Sequence, residues 1–162
     1  MTSIQSTAYH EAGHVVAKYR LGLHFYEVTI CADEDANTLG HVRAPGTLGY
    51  SYSSRTEYKQ VVTNLIIGAF AGLEAERNFD PDCDPELAEE DECNAFNLLR
   101  EIPPRRNGYI GDDAYIAKLD KLRQEARRLI RRHWGDVVIV ADALLIQKTL
   151  TYDDVSKMLT SA

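Results

Sequence analysis

The sequence predicts a mainly α fold with a small β-hairpin or sheet, in one domain spanning 1–162. Three observations carry this. Apolar residues recur at three- and four-residue steps over most of the chain. Short β-branched and aromatic stretches interrupt that pattern only between Phe25 and Ala44. The chain has 162 residues, 44% hydrophobic and 27% charged, which suffices for one sizeable core.

The first predicted helix runs to about Leu21, with Gly22 as its stop. Ser6 and Thr7 are the caps it offers. Glu11 stands one residue too late for a capping box with Thr7. Within it lies His10-Glu11-Ala12-Gly13-His14, an HExxH motif. On a helix the two imidazoles share one face, a turn apart, and reach a single Zn²⁺ at about 2.0–2.1 Å. Glu11 then points at the open position of the metal without ligating it and serves as general base toward water. The alternative is an amphipathic helix whose histidines are solvated or satisfied in a core. Ala8, Ala12, Val15, Val16 and Ala17 bury most of this helix, and buried imidazoles and a carboxylate need partners that a metal supplies.

Phe25–Cys31 reads as a strand and 32–38 as an acidic turn. Leu39–Ala44 reads as a second strand, paired with the first and ended by Pro45-Gly46. Gly46–Ser54 reads as a loop. Arg55–Phe79 carries Val61, Val62, Leu65, Ile66, Ala69, Phe70 and Leu73 at helical spacing, with Gly68 and Gly72 providing a close approach to a neighbouring helix. Asp80–Pro85 reads as a loop, Glu86–Ile102 as a helix and Arg105–Gly111 as a loop. Asp112–His133 is predicted as a helix with Ile116, Leu119, Leu122, Ala126, Leu129 and Ile130 on its apolar face. Gly135-Asp136 is expected to break it, before a helix over Val137–Gln147. Val137–Val140 suits a strand by residue type, but the 3.6-residue period favours helix. Thr151 caps a last helix reaching Leu159.

A catalytic zinc held by two imidazoles wants a third protein ligand, often a carboxylate. Asp84, Glu86, Glu89, Glu90 and Asp91 all qualify by chemistry, and physics alone leaves the choice open. Such a cluster also suits a solvated first helical turn. Cys83 and Cys93 are weaker candidates as soft ligands, and His24 and His41 as further imidazoles, each as well placed on a strand flank.

Net charge is -7 and the pI near 5.2, which argues against nucleic acid as a partner. Arg127, Arg128, Arg131 and Arg132 fit an exposed helix face, and Arg105-Arg106 is the other basic cluster. No apolar run approaches ~18 residues, so no membrane span is predicted. No basic segment followed by an apolar one marks a signal peptide. Cys31, Cys83 and Cys93 share no paired spacing and suit free thiols in a reducing, cytoplasmic compartment.

The chain resembles the zinc peptidase domain of FtsH-type AAA proteases over nearly its whole length. Thr7–His14 resembles that family's signature helix. Glu27-Val28-Thr29-Ile30 followed by Leu39-Gly40-His41-Val42 resembles its hairpin, and 71–76 its Gly-Gly-Arg-x-Ala-Glu-Glu stretch. Segments 141–145 and 150–155 resemble its closing helices. The resemblance implies a zincin-like helical fold and one Zn²⁺ held by His10, His14 and Asp91, with Glu11 as catalytic base. Asp91 is singled out because Asp91-Glu92-Cys93-Asn94-Ala95-Phe96 is similar to the family's Asp-x-x-x-Ala-Thr. It also implies that Leu39, Gly40, His41 and Val42 bind an extended protein or peptide substrate by strand addition. The departures are Phe96 for Thr, Ala71 for the first Gly, Leu73 for Arg, and a different approach to the ligand over Asp80–Glu90. No GxxxxGK[ST] phosphate loop is in this sequence, so the expected proteolysis is ATP-independent by itself. An oligomer or a separate ATPase partner stays open. The alternative from another class is a catalytically weak or inactive metal-binding interaction module of the same fold.

Overall fold

A computed structural model describes residues 3–32, 39–83, 89–102 and 112–160. Six helices and one three-stranded antiparallel sheet lie among them. Helix α1 (Ile4–Arg20) packs against α2 (Arg55–Phe79) and α5 (Trp134–Gln147). Helices α3 (Glu89–Glu101) and α4 (Asp112–Arg132) pack on α2, and α6 (Tyr152–Thr160) packs on α5. The strands are β1 (Glu27–Thr29), β2 (His41–Arg43) and β3 (Thr149–Thr151), in the order β2-β1-β3. The fold is mainly α with a small sheet, as the sequence predicts.

Helix α1 is the centre of the packing. Its residues Ala8, Ala12, Val15, Val16 and Ala17 are fully buried, in a cluster shared with Phe25, Val28, Val137, Leu144 and Leu150. Small side chains let α2 come close. A Cβ added at Gly13 would stand 2.5 Å from the Ala71 carbonyl oxygen and 2.6 Å from the Ala75 Cβ. A second cluster joins Val62, Ile66 and Phe70 of α2 to Ala95 and Leu99 of α3 and Leu122 and Ala126 of α4. The site helix is thus wedged on one side by the sheet and α5 and on the other by α2.

The ends of α1 explain its span. Ser3, not Ser6 or Thr7, is the cap: the Ser6 N–H donates to the Ser3 Oγ at 3.0 Å. Gly22 takes φ +71°, which only glycine adopts without cost. The Gly22 N–H donates to the Tyr19 carbonyl at 3.2 Å and the Leu23 N–H to the Lys18 carbonyl at 2.8 Å, closing a Schellman turn.

Elsewhere the structure corrects boundaries. Pairing in β1 covers three residues of the predicted Phe25–Cys31, and in β2 three of Leu39–Ala44, with Val28 opposite Val42. Strand β3 was not expected. It places Leu150 opposite Val28, where Leu150 joins the core. Gly135-Asp136 does not break a helix; both lie in the first turn of α5, and the chain turns at His133 (φ -111°, ψ 29°). Asp136 accepts from Arg20 Nε at 2.9 Å and Arg20 Nη2 at 2.7 Å, tying that turn to α1. Ile116 is 55% exposed rather than on the apolar face of α4, which rests on Leu122, Ala126 and Ile130. Helix α3 is described from Glu89; Asp84 and Glu86 lie outside the described residues, as do Arg105 and Arg106. Thr151 caps α6: the Asp154 N–H donates to its Oγ1 at 3.3 Å, and its own N–H donates back to Asp154 Oδ2 at 2.9 Å. No helix among the described residues is long and apolar enough to cross a membrane.

Candidate metal centre

Helical spacing stacks His10 and His14 on one face of α1, and the first turn of α3 brings Asp91 against them. His10 Nε2 and His14 Nε2 are 3.1 Å apart. Asp91 Oδ2 lies 3.1 Å from the first and 3.3 Å from the second. A tetrahedral centre with bonds of about 2.0–2.1 Å spaces its ligand atoms about 3.3–3.4 Å apart, so the triangle is nearly of the size a zinc ion needs.

Both histidines are turned to offer Nε2. His10 Nδ1 lies 2.9 Å from Glu76 Oε2, and His14 Nδ1 lies 2.8 Å from the Gly68 carbonyl oxygen. In the neutral imidazoles each Nδ1–H therefore donates outward, which turns the Nε2 lone pairs toward the shared point. Glu76 is 2% exposed and is itself held by the Ser6 hydroxyl, which donates to Oε1 at 2.6 Å.

Three polar atoms converging in a buried space need either protons on the imidazoles or a cation between them. Burial alone would push the His10 imidazole down, but the carboxylates of Asp91 and Glu76 on its two nitrogens carry it up to about 10. His14 is likewise raised against its burial, by Asp91. Burial would raise Asp91, yet the imidazoles of His14 and His10 hold its carboxyl well below the usual carboxylate range. Burial also raises Glu76, and its bonds from His10 and Ser6 outweigh that, so it is lowered overall. In the metal-free fold these shifts favour the protonated imidazoles and the ionised Asp91.

Two further features fit an ion. A Cβ built on Gly72 would overlap His14 Nε2 and stand 2.7 Å from His10 Nε2, so the glycine leaves a cradle beside the triangle. Glu11 is 6% exposed, and its Oε2 has no hydrogen-bond partner among the described residues. Burial raises the Glu11 carboxyl, only partly offset by His14 and His10. Gly40 allows Glu11 its position: a side chain there would meet Glu11 Oε1 at 3.0 Å and the Thr29 carbonyl oxygen at 2.9 Å.

The triad opens on a cleft of about 600 Å³. Leu39, Gly40, His41 and Val42 line one wall, and β2, which pairs only with β1 among the described residues, is an edge of the sheet. His41 faces the cleft but is outside the ligand cluster, as is His24, whose ring lies 4.6 Å from that of Tyr152. Glu89 and Glu90 also stay outside the cluster, although Glu90 lines the cleft, and Cys83 and Cys93 take no part. Only His10, His14 and Asp91 form such a group among the described residues.

Sequence reasoning missed Glu76, Ser6 and Gly72 as parts of this site. Two acids inside the apolar stretch of α2, Glu74 and Glu76, were the available signal. A carboxylate in such a setting needs a partner. Glu74 finds Arg127, whose Nε donates to it at 2.7 Å, and Glu76 finds His10. Ser6, a cap candidate by sequence, donates its hydroxyl to Glu76 instead. No family model matches this sequence, and no curated protein matches it.

Proposed function

We propose that the protein is a zinc metallopeptidase of the FtsH type, cutting peptide bonds of unfolded or flexible proteins without ATP. What supports this most is the placement of Glu11. A buried, unpartnered carboxylate oxygen lies next to a His-His-Asp triangle at the floor of an open cleft. His10, His14 and Asp91 would hold the ion. Zn²⁺ bound there supplies Lewis acidity, polarising a carbonyl and lowering the pKa of water.

The other steps belong to the chain. Burial and the raised affinity of Glu11 for a proton suit it to take one from the attacking water and return it to the leaving amine. Glu76 and the Gly68 carbonyl keep both imidazoles in the orientation that presents Nε2. Strand β2 lies at the cleft with an edge that has no strand partner among the described residues, and an extended peptide adds there through backbone hydrogen bonds. The cleft is open rather than a closed pocket, which favours a polymer over a small amide as substrate.

The test is cleavage of casein by the zinc-loaded protein and by Glu11→Gln. The variant is expected to retain one zinc per chain and to lose cleavage by at least about 10²-fold, the usual contribution of a positioned base. Cleavage by Glu11→Gln at the wild-type rate would refute the assignment. A zinc-loaded wild-type protein that binds casein without cutting it would instead favour the interaction-module reading.

A further inference from the structure

Lys18 lies one turn beyond His14 on the face of α1 that carries both imidazoles. It lines the same cleft, beside Leu65 and Ala69 of α2 and Leu98 of α3. Its ammonium makes no hydrogen bond or ion pair with any described residue. Glu90 and Glu101 also line the cleft, yet neither pairs with Lys18, and Glu101 accepts from the Tyr58 hydroxyl at 3.2 Å instead. Burial pushes the amine below its ordinary value, opposed by the Asp91 carboxylate. A partly buried ammonium that no carboxylate touches, with Asp91 acting on it only at a distance, is costly, and an anion that enters the cleft and bonds it directly lowers that cost.

We propose that Lys18 is a specificity-determining residue, binding a substrate carboxylate: either an Asp or Glu side chain or the C-terminus of the substrate. The proposal rests on the peptidase reading of the cleft. Four residues of helix span about 6 Å, about two residues of extended peptide. The carboxylate therefore lies two or three residues from the bond that is cut. The competing role is structural. A Cβ at Gly68 would stand 3.7 Å from Lys18 Cγ, so the lysine stem lies over α2, and a purely snorkelling lysine would serve only to cover it.

Binding separates the two, and it does so without turnover. The zinc-loaded Glu11→Gln protein is titrated, by fluorescence anisotropy, into two pairs of labelled flexible peptides. One pair differs by an internal Asp or Asn, the other by a C-terminal acid or amide. The acidic member of one pair is expected to bind about tenfold more tightly, the effect of a charge-assisted hydrogen bond. The pair that shows the preference identifies the source of the carboxylate. Lys18→Met and Lys18→Gln in the same background bring the ratio to about one, and Lys18→Glu brings it below one. Equal binding of both members of both pairs, or a preference that survives Lys18→Met and Lys18→Gln, overturns the proposal. Wild-type protein that cuts nothing while the preference holds refutes the peptidase reading alone. Cleavage with no preference refutes Lys18 alone.

Discussion

The glycine pair of α2 offers a contrast that tests whether an ion sits between the imidazoles. A Cβ on Gly72 would stand 2.6 Å from His14 Cε1 and 2.7 Å from His10 Nε2. Carbon and nitrogen in ordinary contact are about 3.5 Å apart, so the imidazoles must part by close to 1 Å. The Nε2 atoms are 3.1 Å apart, and a zinc ion tolerates little spread beyond about 3.4 Å. Gly72→Ala is expected to weaken zinc binding by at least about 100-fold, or about 2.7 kcal/mol. Gly68→Ala is the control. Its Cβ meets only Lys18 Cγ, at 3.7 Å, while the Gly68 carbonyl stays free to accept from His14. Replacing a helical glycine by alanine where space allows stabilises by about 0.5–1 kcal/mol. The assay is zinc calorimetry on both variants with urea unfolding of the metal-free forms. A Gly72→Ala protein that binds zinc as tightly as wild type, or a Gly68→Ala protein that loses it, would show that the cradle is not where the ion sits.

Three further outcomes are expected. Glu76→Gln removes the charge behind His10 and should weaken zinc binding about 10–100-fold by calorimetry, without changing its stoichiometry. Gly13→Ala forces α1 from α2 at the Ala71 carbonyl and should destabilise by about 1–3 kcal/mol in urea unfolding; an unchanged midpoint would refute the close approach. For pH, His10 is raised in the metal-free fold from 6.5 to about 10, so its stabilisation is complete below 6.5 and is lost as pH rises through 10. Asp91 is lowered, so its share is present above 3.8 and is lost as pH falls below it. The metal-free protein should therefore melt at a lower temperature at pH 10 than at pH 6, and zinc uptake near neutrality should release protons. Calorimetric enthalpies that do not vary with the ionisation heat of the buffer would count against this.

How much of this was legible in the sequence depended on the range of the interaction. Helix α2 could be delimited to the residue, Arg55–Phe79, because its signals are local: Ser54 accepts from the Glu57 N–H, and Asp80-Pro81 cannot extend the helix. The face shared by His10 and His14 is equally local, a matter of four-residue spacing. Strand β3 was not legible, since three residues between two helices have no period to detect, and Leu150 pairs across 122 positions of chain with Val28. The start of α5 was misread because Gly135 reads as a breaker, while its place in a first turn, anchored through Asp136 to Arg20, is set by a residue 116 positions away. Asp91 is picked out in the sequence by the resemblance to the Asp-x-x-x-Ala-Thr pattern, not by physical reasoning from the residues. Five acids of similar chemistry lie within a few residues, and what distinguishes Asp91 is that α3 docks on α2 through Ala95 and Leu99, which turns the preceding helical turn toward α1.

The same residues serve packing and chemistry, and that explains why α1 carries so few large side chains. Glycine at position 13 brings α2 within contact of the motif, and only at that separation does Gly72 lie against the imidazoles and Glu76 reach His10 Nδ1. Larger residues would bury more apolar area but move α2 outward, and the carboxylate would lose its hydrogen bond while staying buried. A buried acid left in that state costs more than a methylene gains, about 1–3 kcal/mol or more against about 0.8. The tight α1–α2 crossing is therefore set by the polar network behind His10 and His14, not by hydrophobic burial alone. The raised proton affinity of His10 follows in part from the same crossing, which holds Glu76 on one nitrogen of the imidazole while α3 brings Asp91 to the other.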